Sequence, residues 1–398
     1  MKKVLVVVFV LAAVLSAVAL AWTWRELYRP YRAYSGSMIL EIEPGTSAPT
    51  LADALVQRGV LEKRWPFLFR YLIGRSNHRI KAGEYLFDRP LRPIDVYQKI
   101  VRGEVFLHPV LVPEGSDRFD VAFILNRDLK IDKDDFVRIT QDAAPILDLD
   151  PKARTLEGYL FPDTYRFPRG VSPSTVVQTM LARFRHVYTS KIKNDLEASG
   201  GSVHDVMTLA SLVEKETPDP MERPIVAGVF KRRLERGMPL ACDPTLVYAA
   251  RLDHRMLERP LPPITKSELE FISPYNTYRH AGLPPGPIAN PGLASIRAAL
   301  EPAPGQALYF VSNNHGGHIF ANTLAEHDRN VARYRKQVAE IHSQAQGEAN
   351  ASGRTPPDKP KIGSHTTSGS SKGGKRDKQK TAHPRTKTRT ATRSGRSG

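Results

Sequence analysis

The pattern of apolar and polar positions divides the chain into three stretches of different character. From Val4 to Trp22 the residues are uncharged and almost wholly apolar. At ~1.5 Å rise per residue a helix of that run reaches nearly 30 Å, the thickness of one hydrocarbon core. Trp22, Trp24 and Tyr28 follow at the place where interfacial aromatics sit. This predicts a membrane helix over 4–24. No small-x-small cleavage site stands clear of the apolar run, because Ala17-Val18-Ala19 lies inside it, so the helix is expected to stay attached. Lys2 and Lys3 favour a cytoplasmic segment 1–3, although Arg25, Arg29 and Arg32 flank the other end.

The middle stretch alternates short strand and helix signals. Ile39 to Ile42 reads as a strand, followed by the turn Pro44-Gly45-Thr46, a helix from Thr50 to Arg58, a second helix from Trp65 to Ile73, and a returning strand from Gly83 to Phe87. A weaker echo follows: Val110 to Val112, the turn Pro113-Glu114-Gly115-Ser116, and an apolar helical run from Val121 to Leu125. Glu157 to Tyr165 is dense in aromatics and turn formers and reads as a loop or strand edge. Ser172-Pro173 opens a helix with an N-cap and a proline at its first position. Ser202 opens another that runs to Thr217 and stops at Pro218. Met221 to Arg236 is a further helix. Asp243-Pro244 and Asn290-Pro291 repeat the cap-then-proline pattern. Ala307 to Ser312 and His318 to Thr323 flank a Gly-rich hairpin turn. Thr323 and Glu326 form a capping box for a last helix reaching about Ile341. The resulting fold class is α+β, with a small unit over 38–103 and a larger mixed α/β domain over 104–342.

Beyond Gln346 large apolar residues nearly vanish. The segment 347–398 cannot bury enough surface to offset its ordering entropy and is expected to be a disordered basic tail. It changes the meaning of the net charge of +17. The tail carries thirteen Lys and Arg against three Asp and Glu, roughly ten of those seventeen charges. The rest of the chain is only mildly basic, so no nucleic-acid partner is expected. The single cysteine, Cys242, excludes an internal disulfide framework and any multi-cysteine zinc site, and reads as a small core residue.

Two segments stand out chemically. Ser211-Leu212-Val213-Glu214-Lys215-Glu216-Thr217 closes a strongly apolar helix. Glu214 continues the row Val203, Met207, Ala210, which puts its carboxyl on a desolvating face where it can hold a proton near neutral pH. A general acid acting on a glycosidic oxygen needs that property. Glu216 follows Leu209 and Leu212, so apolar neighbours alone do not choose between the two. The second segment is Pro274 to Tyr278 with Gly282 to Pro291. Proline-locked loops there hold Tyr and Asn side chains, which suit sugar rings and acetamido groups. His315, His318 and His327 fall in no metal-binding frame and read as exposed turn histidines, so no metal or cofactor is expected.

At these residues the chain resembles the MltG (YceG-like) family of endolytic murein transglycosylases. The motifs are LEGYLFPDTY (Leu156 to Tyr165), LASLVEKET (Leu209 to Thr217), Asp243-Pro244-Thr245 with Tyr248, YNTY (Tyr275 to Tyr278), and GLPPGPIANPG (Gly282 to Gly292). The resemblance implies a LysM-like subdomain over 38–103 and a YceG-like catalytic domain over 104–342. It makes Glu214 the catalytic residue, with Tyr275, Asn276, Thr277, Tyr278, Asn290, Glu157 and Tyr165 as candidates for binding substrate. The implied reaction cleaves the MurNAc–GlcNAc β-1,4 bond inside nascent peptidoglycan strands and leaves a 1,6-anhydroMurNAc end. The implied setting is the bacterial inner membrane, single-pass, with the catalytic domain facing the periplasm. Implied partners are glycan strands and peptidoglycan synthases (penicillin-binding proteins). A hydrolytic muramidase and a non-catalytic wall-binding scaffold for synthases are the alternatives. The Asp219-Pro220 pair after the glutamate motif departs from the family pattern.

Overall fold

The computed structural model describes residues 2–74, 79–253 and 269–352. The apolar amino-terminal run forms helix α1 (Lys2–Tyr28), a few residues longer at each end than the sequence suggests. It is long and apolar enough to cross a membrane, and its apolar side chains are exposed along its length.

Above it sits a small β-α-α-β unit. Strand β1 (Met38–Ile42) pairs antiparallel with β2 (Gly83–Phe87), and helices α2 (Ala48–Gln57) and α3 (Trp65–Ile73) lie between them in sequence. Helix α4 (Pro93–Arg102) closes the unit and ends on Gly103, whose φ of 72° is the left-handed cap that glycine adopts without strain. Leu51, Leu55, Phe67, Tyr85, Val96 and Ile100 form a core separate from the rest of the molecule.

The echo in the sequence is structural. Strand β3 (His108–Leu111), helices α5 (Arg118–Leu129) and α6 (Lys133–Ile139), and strand β4 (Thr164–Phe167) repeat the β-α-α-β order, with β3 and β4 antiparallel. In both units a glycine of positive φ (Gly45, 85°; Gly115, 74°) turns the chain from the first strand toward the first helix.

The larger core gathers around α9 (Val203–Glu216), most of whose residues are buried. Against or near it lie α7 (Pro173–Val187), α8 (Lys193–Ser199), α10 (Arg223–Glu235), α11 (Asp243–Leu252) and α12 (Leu293–Leu300). Hairpin β5 (Tyr309–Ser312) and β6 (His318–Ala321) precedes the final helix α13 (Leu324–Ser352). That helix passes the expected end near Ile341 and takes in the first residues of the segment 347–398 read as disordered; 353–398 lie outside the described residues.

Two expected caps are corrected. Helix α11 starts with Cys242 as its cap, because the Asp243 carboxyl accepts a hydrogen bond from the Tyr278 hydroxyl instead. Helix α12 starts after Gly292, because the Asn290 amide is engaged elsewhere.

Candidate active site

Helix α9 begins with Ser202 Oγ accepting the Asp205 amide at 3.1 Å and ends at Thr217, whose backbone turns extended (φ −136°, ψ 130°). Glu214 therefore lies in the last turn, where the helix dipole disfavours a negative charge. Its side chain is 5% exposed and has two partners. Oε1 accepts from Arg223 Nη2 at 3.0 Å, and Oε2 accepts from the Gly292 amide at 2.9 Å. The guanidinium compensates the unfavourable position with a charge-assisted bond.

The other glutamate of the motif is placed differently. Glu216 is 8% exposed and lies against Cys242, Arg233 and Tyr278 inside the domain. The two carboxyls that apolar spacing left equivalent are thus distinguished by their surroundings. Cys242 is a buried core residue, with its thiol pushed up by burial and by Glu216.

Sequence reasoning missed Arg223 and Glu114 as site residues. The Asp219-Pro220 departure forms the turn that delivers Arg223: Asp219 accepts from the Met221 amide at 2.9 Å, and its own amide donates to Thr217 Oγ1 at 3.1 Å. Glu222 then anchors the next element, accepting from the His318 amide and pairing with His318 Nδ1, each at 2.7 Å. Glu114 lies on the turn after β3, with Oε2 3.7 Å from Arg223 Nη1. Burial and the nearby Glu214 charge both raise its pKa, against the opposing pull of Arg223. A Cβ on Gly292 would collide with the Glu114 carboxyl where it lies, so a larger residue there would push that side chain aside. Lys215 Nζ donates to the Gly115 carbonyl at 3.1 Å and ties the same turn to the end of α9. A cavity of about 320 Å³ opens beside the turn, lined in part by Glu114, Ser116, Phe123, Arg127 and Lys215.

The remaining candidates fall into two groups. Glu157, Asn276, Thr277 and Asn290 are all buried, and their polar atoms serve the protein itself. Asn290 Oδ1 accepts the Gly158 and Leu160 amides, each at 2.9 Å, while Nδ2 donates to the Ser116 carbonyl at 2.7 Å and to Glu157 at 3.2 Å. This one side chain links LEGYLFPDTY, the Glu114 turn and the proline-rich loop. Glu157 also accepts the Arg118 amide at 3.1 Å, and burial, reinforced by Asp117, raises its pKa to about 8. Asn276 closes its own loop onto the Phe271 carbonyl (2.8 Å) and the Tyr278 amide (3.0 Å). Thr277 Oγ1 accepts the Cys242 amide at 3.0 Å. Tyr165 is likewise buried on β4, donating to the Phe161 carbonyl. Tyr275 and Tyr278 are partly exposed, and Tyr275 packs edge-on against Tyr248 at 5.1 Å.

The proline-rich loop is pinned from α9. Ser211 Oγ accepts the Ile288 amide at 3.0 Å, and His204 Nε2 reaches the Pro285 carbonyl at 3.2 Å while its Nδ1 pairs with Asp150 at 2.7 Å. The hydrogen bond to Asp150 raises the His204 pKa. Of the three histidines read as exposed turn residues, only His315 is exposed. His318 is held by Glu222, and His327 is fully buried, stacked on Tyr309 at 5.3 Å. No cluster of metal-ligating side chains occurs among the described residues.

A buried carboxyl held by a guanidinium and an amide thus sits on a framework built from separate sequence motifs. The profile of the YceG-like family matches residues 40–333, and the chain belongs to that family. It is 30% identical over 328 residues to the endolytic murein transglycosylase of Bacillus subtilis, covering 78% of this chain and 88% of that protein. It is 29% identical to the endolytic murein transglycosylase of Streptococcus pneumoniae, covering 74% of this chain and 57% of that longer protein. The crystal structure of a YceG-like protein from Listeria monocytogenes superposes with a TM-score of 0.51 at 29% identity, over 74% of this chain and 99% of that one.

Proposed function

We propose that this protein is an endolytic lytic transglycosylase that cleaves the MurNAc–GlcNAc β-1,4 bond within nascent peptidoglycan strands. The observation that carries the reading is the Glu214 carboxyl held by Arg223 and the Gly292 amide at the end of α9, in a chain whose relatives bear that activity in their names. Each Glu214 oxygen accepts one bond, which leaves lone-pair capacity for a proton. Glu214 donates that proton to the leaving glycosidic oxygen. The resulting carboxylate takes the proton of the MurNAc C6 hydroxyl as O6 closes on C1, which forms the 1,6-anhydro ring and restores the acid. The nucleophile is already part of the substrate, so neither a second catalytic carboxylate nor a positioned water is required.

Tyr275 and Tyr278, the partly exposed aromatics of YNTY, are the rings we assign to the sugars. Glu157, Asn276, Thr277, Asn290 and Tyr165 are assigned to shaping the site rather than touching glycan. The β-α-α-β unit over 38–103 is LysM-like in element order and would hold the strand near the membrane. With α1 as a single-pass anchor in the inner membrane and the catalytic domain in the periplasm, the enzyme would work beside peptidoglycan synthases and terminate elongating strands.

The test is mass spectrometry of products from uncrosslinked nascent strands incubated with the full-length protein in detergent, as wild type and as Glu214→Gln. Anhydro ends from the wild type alone are expected. Reducing ends would make the enzyme a hydrolase, and equal cleavage by both proteins would remove Glu214 from the chemistry.

A further inference from the structure

Helix α3 presents its apolar side in the wrong direction for a soluble unit. Phe67 faces the small core and is 1% exposed. On the opposite side Phe69, Leu72 and Ile73 are 39%, 80% and 55% exposed. With Trp65 these positions share one face by helical spacing. Single exposed apolar residues are ordinary, but a continuous row marks a contact surface.

The row runs directly into the membrane helix. Trp65 stacks on Trp22 of α1, with ring centroids 5.0 Å apart, and Phe69 meets the Trp65 ring edge-on at 6.2 Å. Trp22 stands at the end of the apolar run, at the level of an interface. Two ion pairs fix this junction, Lys63 with Glu26 at 3.1 Å and Arg29 with Glu62 at 3.7 Å. Arg29 and Arg64 remain more than half exposed beside it, as suits anionic headgroups.

We infer that α3 is an interfacial helix which lays Phe69, Leu72 and Ile73 into the surface of the same bilayer that α1 crosses. The inference rests on α1 being a membrane anchor. The small unit then has two attachments to the bilayer, and α1 does not act as a loose tether. A helix of this kind buries its apolar side at the boundary of headgroups and acyl chains.

The test uses full-length protein in phosphatidylcholine vesicles, with and without phosphatidylglycerol. Single cysteines replace Val10, Leu72 or Leu147 and carry an environment-sensitive fluorophore, with nitroxide-bearing lipids as quenchers. Cys242 is 1% exposed and does not compete for label. Position 147 is an exposed site on the catalytic domain, and position 10 reports the anchor. Labels at 10 and 72 are expected to be quenched by lipid several-fold more strongly than the label at 147. Leu72→Glu with Ile73→Glu, both at exposed sites, is expected to lower quenching of a label at Phe69→Cys to the level of position 147. Quenching at 10 with none at 72 overturns the inference and keeps the anchor; quenching at neither overturns the anchor. A blue-shifted label at 72 that lipid nitroxides do not quench means contact with a second copy, which also overturns it.

Discussion

Arg223 faces two carboxylates that differ in exposure, and this difference decides what each contact is worth. Glu214 and Arg223 are 5% and 8% exposed in their side chains, so removing the guanidinium strands a buried charge. Arg223→Met should therefore cost ~3–5 kcal/mol, whereas Glu114→Gln, at a half-exposed partner 3.7 Å away, should cost under ~1 kcal/mol. Urea denaturation of the two variants checks the ordering, and equal losses would mean that Arg223 is not committed to Glu214. Glu157 gives a pH prediction. Its folded pKa is raised to about 8, chiefly by burial, so between the ordinary glutamate value near 4.5 and about 8 the folded chain binds the proton that the unfolded chain has released. The stabilisation is present below the lower value and lost as pH rises through the window. Melting temperature is expected to fall from pH 5 to pH 8 in the wild type, and this slope should be shallower in Glu157→Gln. An unchanged slope would assign the titration to another group.

At the scale of elements, local chemistry was readable where it stayed local. Ser172, Ser202 and the Thr323–Glu326 box cap the helices their sequence announces, with Thr175 N to Ser172 Oγ at 3.1 Å as one instance. Asp243 and Asn290 carry the same signature and fail as caps, because partners distant in sequence claim their side chains. The same limit hid Arg223 and Glu114: no spacing rule connects residues that meet only through the fold. Glu114 did carry a signal, a charged residue between the proline and the glycine of its turn, where the earlier turn runs directly from Pro44 to Gly45. The proline-rich loop shows how such long-range bonds shape the site. Ser211→Ala leaves the Ile288 amide without its buried acceptor, at a cost of ~1–3 kcal/mol. The loop also supplies Gly292, a partner of Glu214. The expected result is a loss of strand cleavage larger than the loss of fold, read by comparing turnover with the urea midpoint. Unchanged turnover would separate the loop's position from catalysis.

Across the whole molecule the same β-α-α-β order is used twice, once with its own core above the membrane helix and once merged into the catalytic core. The two units meet through Glu84, a buried carboxylate that pairs with His108 across the junction and with Arg169 at 3.1 Å. A junction of polar contacts between two separate apolar cores transmits little packing energy, so the small unit should lose structure on its own terms. Leu55 is fully buried in the small core and belongs to no shared cluster. Leu55→Ala should cost ~2–5 kcal/mol there by the lost transfer energy and the cavity left behind. Hydrogen exchange followed by peptide mass spectrometry should show protection falling across 38–103 while α9 and α12 exchange as in the wild type. Cleavage of short soluble strands should persist, because Glu214, Arg223 and the Glu114 turn all lie in the larger core's domain. Loss of protection spreading equally into α9 would show the two cores folding as one cooperative unit, with the Glu84 contacts as the coupling.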